Sequence, residues 1–210
     1  AYFYRGGTSG LTGPVVEYRS NGGATNVVFG RYVAGIGDVN NDGHADFAIG
    51  EYGNMTPQIF LGRSATIPMF PAQTLARGKR VVGVGDVNGD GYDDVVNHHG
   101  MGLHLGGSSG VSLMATAPVE GFEFDCDGVI DAGDVNGDGR KDLVITCPPT
   151  LTNPAGRAYL FGGTSTGFSR SPSSTFISTA MRYGDVVDTL GDVNQDNFSD
   201  FVVSGGGVGA

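Results

Sequence analysis

The sequence DVNGDGYDD, from Asp86 to Asp94, is one of four versions of a single nine-residue phrase. The other versions are DVNNDGHAD (38–46), DVNGDGRKD (134–142) and DVNQDNFSD (192–200), and in chain order the four are called loops 1 to 4. Positions one, three, five and nine always hold Asp or Asn, and position six holds Gly or Asn. Because Gly and Asn best tolerate a left-handed backbone, each phrase is predicted to turn sharply at position six and to fold its side-chain oxygens inward.

This set of oxygen atoms suits a hard cation. Calcium takes six to eight oxygen ligands at about 2.3–2.6 Å and tolerates irregular geometry. The alternative is an Asx-rich turn without metal, but each loop would then gather three like charges without compensation. We expect one structural Ca²⁺ per loop, about four per chain. The predicted ligands are the side chains at positions one, three, five and nine and the backbone carbonyl at position seven: Asp38, Asn40, Asp42, His44 and Asp46; Asp86, Asn88, Asp90, Tyr92 and Asp94; Asp134, Asn136, Asp138, Arg140 and Asp142; Asp192, Asn194, Asp196, Phe198 and Asp200.

An EF-hand is the rival calcium loop, and its twelfth position should be a bidentate Glu. That position holds Ile49, Asn97, Ile145 and Val203, which lie in strand-like runs. The four loops are therefore predicted to join β-strands.

Composition limits the classes of function. The 210 residues fit a single domain, 1–210, and the net charge of −10 comes mostly from the loops. A basic face for nucleic acid is not visible, and no apolar run approaches the ~20 residues of a membrane span. We expect neither nucleic-acid binding nor membrane insertion.

A second repeated phrase is a strand that ends in Gly. It occurs as QIFLGRS (58–64), LHLGGSS (103–109) and AYLFGGTS (158–165), and as AYFYRGGTS at residues 1–9. Successive first-position aspartates lie 48, 48 and 58 residues apart, and the apolar runs are short and rich in Val, Ile and Phe. Tandem units of ~40–50 residues with such runs predict an all-β protein, a β-propeller of four-stranded antiparallel blades.

The two ends of the chain are predicted to complete one blade. No Gly-ended strand follows loop 4, so residues Asp200–Ser204 are expected to pair beside Tyr2–Arg5, which would hide two sheet edges. Three arrangements stay open: a four-bladed ring within one chain, a larger ring shared by a homodimer, and a piece of a longer propeller.

The loop pattern and its flanks resemble the FG-GAP repeats of integrin α-subunit propellers and the related bacterial and fungal VCBS-type repeats. The FG element is Phe29-Gly30 before loop 1 and Tyr183-Gly184 before loop 4, whereas Arg77-Gly78 and Asp125-Cys126 stand before loops 2 and 3. The resemblance implies a calcium-stabilised propeller, usually of seven blades. It also implies extracellular adhesion or recognition, and some fungal members are lectins that bind sugars between blades.

Residues at the blade end opposite the loops form a candidate ligand site. They differ from repeat to repeat, and variable residues on a repeated scaffold usually carry specificity. Tyrosines there are expected to stack on sugar faces and charged groups to reach hydroxyls; the alternative is an ordinary rim. The candidates are Arg31, Tyr32, Glu51, Tyr52, His99, Arg182 and Tyr183.

The two cysteines flank loop 3. Cys126 lies eight residues before Asp134 and Cys147 thirteen after it, so a hairpin around the loop would bring them to the same end. A disulfide would place the protein outside a reducing cytosol. Two buried free thiols and a zinc pair are the alternatives.

These observations favour a calcium-dependent recognition module, a lectin or cell-adhesion protein, that is secreted or at the cell surface. Its partner would be a glycan or an extracellular protein. The alternatives are a propeller enzyme acting on polysaccharide and a structural protein that assembles with other chains. No Gly-x-Ser-x-Gly or His-Glu-x-x-His occurs, so we do not expect an enzyme.

Overall fold

The described residues of the computed structural model form β-strands joined by loops. These residues are 1–19, 28–52, 56–64, 66–76, 78, 80–98, 102–115, 126, 128–151 and 153–206. Within these ranges no helix is long and apolar enough to cross a membrane. The strands are β1 (Tyr2–Gly7), β2 (Gly10–Glu17), β3 (Val28–Gly37), β4 (Asp46–Tyr52), β5 (Gln58–Phe60), β6 (Gln73–Thr74), β7 (Val81–Gly85), β8 (Asp94–Asn97), β9 (Gly102–His104), β10 (Gly128–Gly133), β11 (Asp142–Cys147), β12 (Gly156–Phe161), β13 (Gly163–Thr164), β14 (Gly167–Phe168), β15 (Ser174–Ser178), β16 (Val187–Gly191) and β17 (Asp200–Val203). The predicted all-β class is confirmed.

The strands form successive antiparallel sheets. Sheet I has the order β3-β4-β5-β6, sheet II β7-β8-β9 and sheet III β10-β11-β12-β15. Strands β16 and β17 form hairpin IV, β1 and β2 form the N-terminal hairpin, and β13 and β14 form a small ribbon. Each loop joins the first two strands of its sheet or hairpin, because Asp, Asn and Gly turn the chain between runs of Val, Ile and Phe.

Sheets I to III share one register between their second and third strands. The residue after the ninth loop position faces the residue two places before the Gly whose N–H bonds the ninth-position Asp, which is Gly62, Gly106 or Gly163. The pairs are Phe47 with Phe60, Val95 with His104, and Leu143 with Phe161. The repeat in sequence is therefore also a repeat in strand pairing.

The hydrophobic cores lie between adjacent sheets. Ile36 and Ile59 of sheet I belong to one buried cluster with Val95 of sheet II. Val84 of sheet II belongs to a second cluster with Leu143 of sheet III. The sheets thus pack face to face in chain order.

The N-terminal hairpin covers the other face of sheet I with aromatic residues. Phe3 contacts Phe47 with ring centroids 6.0 Å apart, and Phe47 stacks on Phe60 at 4.9 Å. Tyr18, which follows β2, meets the Phe60 ring edge-on at 4.8 Å, and its backbone N–H donates to the Ala1 carbonyl at 2.8 Å. The hairpin is therefore fixed beside the first sheet.

The predicted pairing of Asp200–Ser204 beside Tyr2–Arg5 is not made in the structure. Among the described strands, β17 pairs with β16 alone and β1 with β2 alone. The physical reason is the aromatic packing that fixes the N-terminal hairpin to sheet I, whereas hairpin IV contacts sheet III. The described strands form no closed propeller, a count of four blades is not confirmed, and sheet II has three strands rather than four.

A disulfide joins Cys126 to Cys147 across 21 residues. Cys147 ends β11, and Cys126 is buried in the cluster between sheets II and III. The bond therefore ties the segment before β10 to the end of the neighbouring strand.

We predict that replacing both cysteines, Cys126→Ala with Cys147→Ala, lowers the free energy of unfolding by about 3 kcal/mol. A cross-link over this separation removes about that much chain entropy from the unfolded state. Urea unfolding measures the effect, and each single replacement should match the double. If a reductant leaves the unfolding midpoint of the wild-type protein unchanged, the prediction is wrong.

Candidate metal centre

The four loops share one backbone path. Position six has a positive φ in each loop, as predicted: 84° at Gly43, 90° at Gly91, 83° at Gly139 and 71° at Asn197. Position four is also left-handed, which the sequence analysis missed: 53° at Asn41, 80° at Gly89, 77° at Gly137 and 63° at Gln195. Asn or Gly occupies three of these four positions, and because both residue types tolerate a left-handed backbone, the sequence could have predicted this turn. Two left-handed residues bend each loop back over its first residue.

The first Asp of each loop accepts backbone N–H groups from the turn above it. In loop 2, Asp86 accepts from Gly89 (2.7 Å), Asp90 (3.1 Å) and Gly91 (2.7 Å). Asp134 has the same three contacts in loop 3. These bonds favour the charged carboxylate. In loop 4 they lower the pKa of Asp192, the N–H of Asn197 having the largest effect.

The ninth-position Asp links the loop to the third strand of its sheet. In loop 2, Asp94 Oδ2 accepts the Val87 N–H (3.0 Å) and Oδ1 accepts the Gly106 N–H (2.7 Å). Loops 1 and 3 repeat this pair of bonds at Asp46 and Asp142. The strand-ending Gly therefore has a second role, because its N–H reaches a buried carboxylate.

Burial raises the pKa of these three carboxyl groups, and it reaches about 6 for Asp94. The hydrogen bonds from the backbone act in the opposite direction, and the nearby aspartates of the same loop add to the rise. Loops 1 to 3 thus each hold a buried carboxyl next to other aspartates of the same loop.

Positions three and five contact each other directly. The Asn Nδ2 donates to the Asp Oδ2 in loops 1, 2 and 4, at 3.0 Å for Asn40 and Asp42. Asn40 Oδ1 is buried and accepts no hydrogen bond. Among the described residues, no three Asp, Glu, His or Cys side chains are gathered into a ready-made metal cluster. A cation in these loops would require the side chains at positions three and five to rotate inward.

The candidate ligand residues are placed differently from one another. Arg31 is exposed, and its guanidinium carbon lies 5.8 Å from the Tyr32 ring centroid. Arg182 is exposed and its Nε donates to Asp185 at 2.6 Å. Glu51 is only 4% exposed and accepts from Thr56 Oγ1 at 3.2 Å, so its carboxylate does not reach the rim.

Tyr183 is partly buried, which raises the pKa of its hydroxyl. Arg31 and Tyr32 lie by sheet I and Arg182 and Tyr183 by hairpin IV, so the structure does not bring the candidates into one site. His99 and the side chain of Tyr52 lie outside the described residues.

Comparison with known proteins supports the repeat. Residues 38–96 match the model of an FG-GAP-like repeat, and this span contains loops 1 and 2. No curated protein sequence matches the chain significantly. The chain therefore carries an FG-GAP-like repeat, as the sequence predicts, and this repeat indicates a β-propeller-like recognition or adhesion module.

We predict that, in the presence of a calcium chelator, the protein loses stability as the pH rises from about 4 to about 7. Asp46, Asp94 and Asp142 have raised pKa values, so the folded state binds more protons than the unfolded state in this window. Urea unfolding in a chelator at several pH values measures the slope. Asp94→Asn, which cannot ionise, should show a smaller slope. A stability that is flat or rises with pH would contradict the assignment.

Proposed function

We propose that the protein is a calcium-stabilised recognition module with one Ca²⁺ in each loop. The observation that carries the proposal is the buried ninth-position carboxyl of loops 1 to 3, since it lies beside two more aspartates of the same loop. Burying a charge without a partner is costly. Bound Ca²⁺ would supply the opposite charge, and its binding free energy would add to the stability of the folded state.

The residues of each loop suit a calcium ion. The side chains at positions one, five and nine are carboxylates, position three supplies an amide oxygen, and position seven supplies a backbone carbonyl. Oxygen atoms of this kind are the ligands that Ca²⁺ prefers. In loop 1, the unpartnered Asn40 Oδ1 supports the proposal, because a buried acceptor normally has a partner.

We predict that Asp86→Ala with Asp90→Ala removes one calcium ion per chain. At calcium concentrations about a hundred times Kd, a site stabilises by about 2.7 kcal/mol, so Tm should fall by about 5–10 °C. Plasma emission spectrometry counts the ions, and calorimetry gives Tm. The control is Glu17→Ala with Asp188→Ala, which removes the same charge outside the loops and should keep the full ion count. An unchanged ion count in the loop variant would refute the assignment.

The recognition partner we propose is an extracellular glycan, with a protein ligand of an adhesion module as the second candidate. The Arg31 guanidinium lies over the Tyr32 ring, and this pairing of hydrogen-bond donors with an aromatic ring suits a sugar. The disulfide supports a location outside the reducing cytosol, secreted or at the cell surface. No pair of titratable side chains singled out in the loops or the rim favours an enzyme.

We predict that a glycan array probed in the presence of calcium detects a ligand. Tyr32→Ala or Arg31→Ala should weaken its binding at least ~10-fold, because a stacking ring or a hot-spot charge contributes more than about 1.4 kcal/mol to binding. Tyr2→Ala is the control, since Tyr2 is exposed on the N-terminal hairpin. The bound glycan should be recovered intact. An array without binding would exclude the carbohydrate and leave the protein ligand.

A further inference from the structure

Two of the three junctions between consecutive units share one backbone contact. The N–H of the eighth loop position donates to the first-position carbonyl of the preceding loop: Asp93 to Asp38 at 3.2 Å, and Ser199 to Asp134 at 2.8 Å. The N–H of Gly107, just after the strand-ending Gly of sheet II, donates to the Val39 carbonyl at 3.0 Å. Loops 1 and 3 are thus contacted by the unit that follows each of them.

Hairpin IV lacks this cover. Val39 and Val87, at position two of loops 1 and 2, are fully buried, whereas Val193 of loop 4 is 64% exposed. Val202 on β17 is 48% exposed. The outer face of hairpin IV is therefore an unpartnered copy of an interface that the chain builds elsewhere.

Hairpin IV also lacks a third strand. Asp46, Asp94 and Asp142 each accept an N–H from a strand-ending Gly. In the described part of the chain, Asp200 accepts the Val193 N–H at 2.9 Å, but no strand lies beside β17 to supply the second donor. The fourth candidate calcium loop is thus incomplete.

The N-terminal hairpin and the exposed face of sheet I offer the third strand and the cover that hairpin IV lacks. A groove of about 480 Å³ separates β1 and Tyr18 from the outer face of β3 and β4. Val33, which lines it, is 67% exposed. Strand β1 carries the phrase AYFYRGGTS, which shares Gly-Gly-Thr-Ser with the AYLFGGTS of β12; the two Gly residues end β1 and directly follow β12. In sheet III the second Gly of that phrase, Gly163, donates to Asp142.

We propose that hairpin IV of one copy sits in this groove of a second copy, so that β1 of the second copy becomes the third strand beside β17 of the first. The register of the other sheets would set Phe201 opposite Arg5 and Val202 opposite Tyr4. Gly7 of the second copy then donates its N–H to Asp200, and Ala45 donates to the Asp192 carbonyl. The interface continues the one already present between sheets.

A second copy fits better than closure within one chain. The intervening sheets are tightly packed, since a Cβ on Gly83 would lie 2.8 Å from the Ile36 Cα. In the single chain β17 does not pair with β1 while the sheets keep these contacts, and a second copy can supply the strand without changing them. Two such contacts between two copies close a ring, which ends growth of the assembly.

Cysteine pairing across the predicted register tests the proposal. Val202→Cys and Tyr4→Cys proteins, refolded together and oxidised, should form a dimer on a non-reducing gel, because opposite residues of neighbouring strands are within disulfide reach. Val202→Cys with Leu11→Cys is the control, since Leu11 is exposed but lies on β2. If the link forms only when Val202→Cys and Tyr4→Cys are in one chain, the hairpin closes on its own chain and the proposal is overturned.

Light scattering gives a second readout. The wild-type protein should have twice the mass of one chain, and Val202→Asp or Val33→Asp should halve it. Both side chains are exposed in the single chain, so the variants should stay folded. Leu113→Asp, at an exposed residue outside both surfaces, should remain a dimer. A wild-type mass of one chain would overturn the proposal.

Discussion

The buried carboxylate at the end of loops 1 to 3 is the constraint on which the three sheets depend. Asp94 accepts one N–H from its own loop and one from the end of the third strand, and Asp46 and Asp142 do the same. These two bonds fix where the third strand ends, and so they fix the strand register that the sheets share. The bonds offset part of the cost of burying a charged group. The remainder appears as the raised pKa of the three carboxyl groups.

Small residues let the sheets approach closely enough for this arrangement to repeat. A Cβ on Gly106 would clash with the Asp93 carbonyl oxygen and would lie 2.8 Å from that of Val39. A side chain at that point would push the third strand from the loop and sheet II from sheet I. The high Gly content is therefore explained by contact between backbones at the end of the third strand as much as by turns.

Local chemistry made the loops, the strands and the recurring strand-ending Gly predictable from sequence. Asp, Asn and Gly at fixed positions define the loop path whatever surrounds it, although Gln195 adopts a left-handed backbone that its residue type does not favour. The position of the N-terminal hairpin could not be predicted, because it depends on contacts among Phe3, Phe47 and Tyr18, which are distant in sequence. The burial of Glu51, which was expected on the rim, could not be predicted either, because it is set by tertiary packing rather than by the strand pattern.

The burial of the second-position Val decreases from loop 1 to loop 4, and this trend connects the candidate metal loops with the contacts between sheets. The second-position Val is fully buried in loops 1 and 2, only partly in loop 3 and largely exposed in loop 4. In an array of repeats each unit is stabilised mainly by its neighbours, so hairpin IV, with one exposed face, receives less stabilisation of this kind than the sheets between neighbours. Among the described residues, Asp200 of the same hairpin accepts the Val193 N–H but no N–H from a third strand. The end of a third strand can therefore have two roles. In sheet II, Gly106 donates to the ninth-position Asp94 of its own loop, and Gly107 donates to Val39 of the preceding loop.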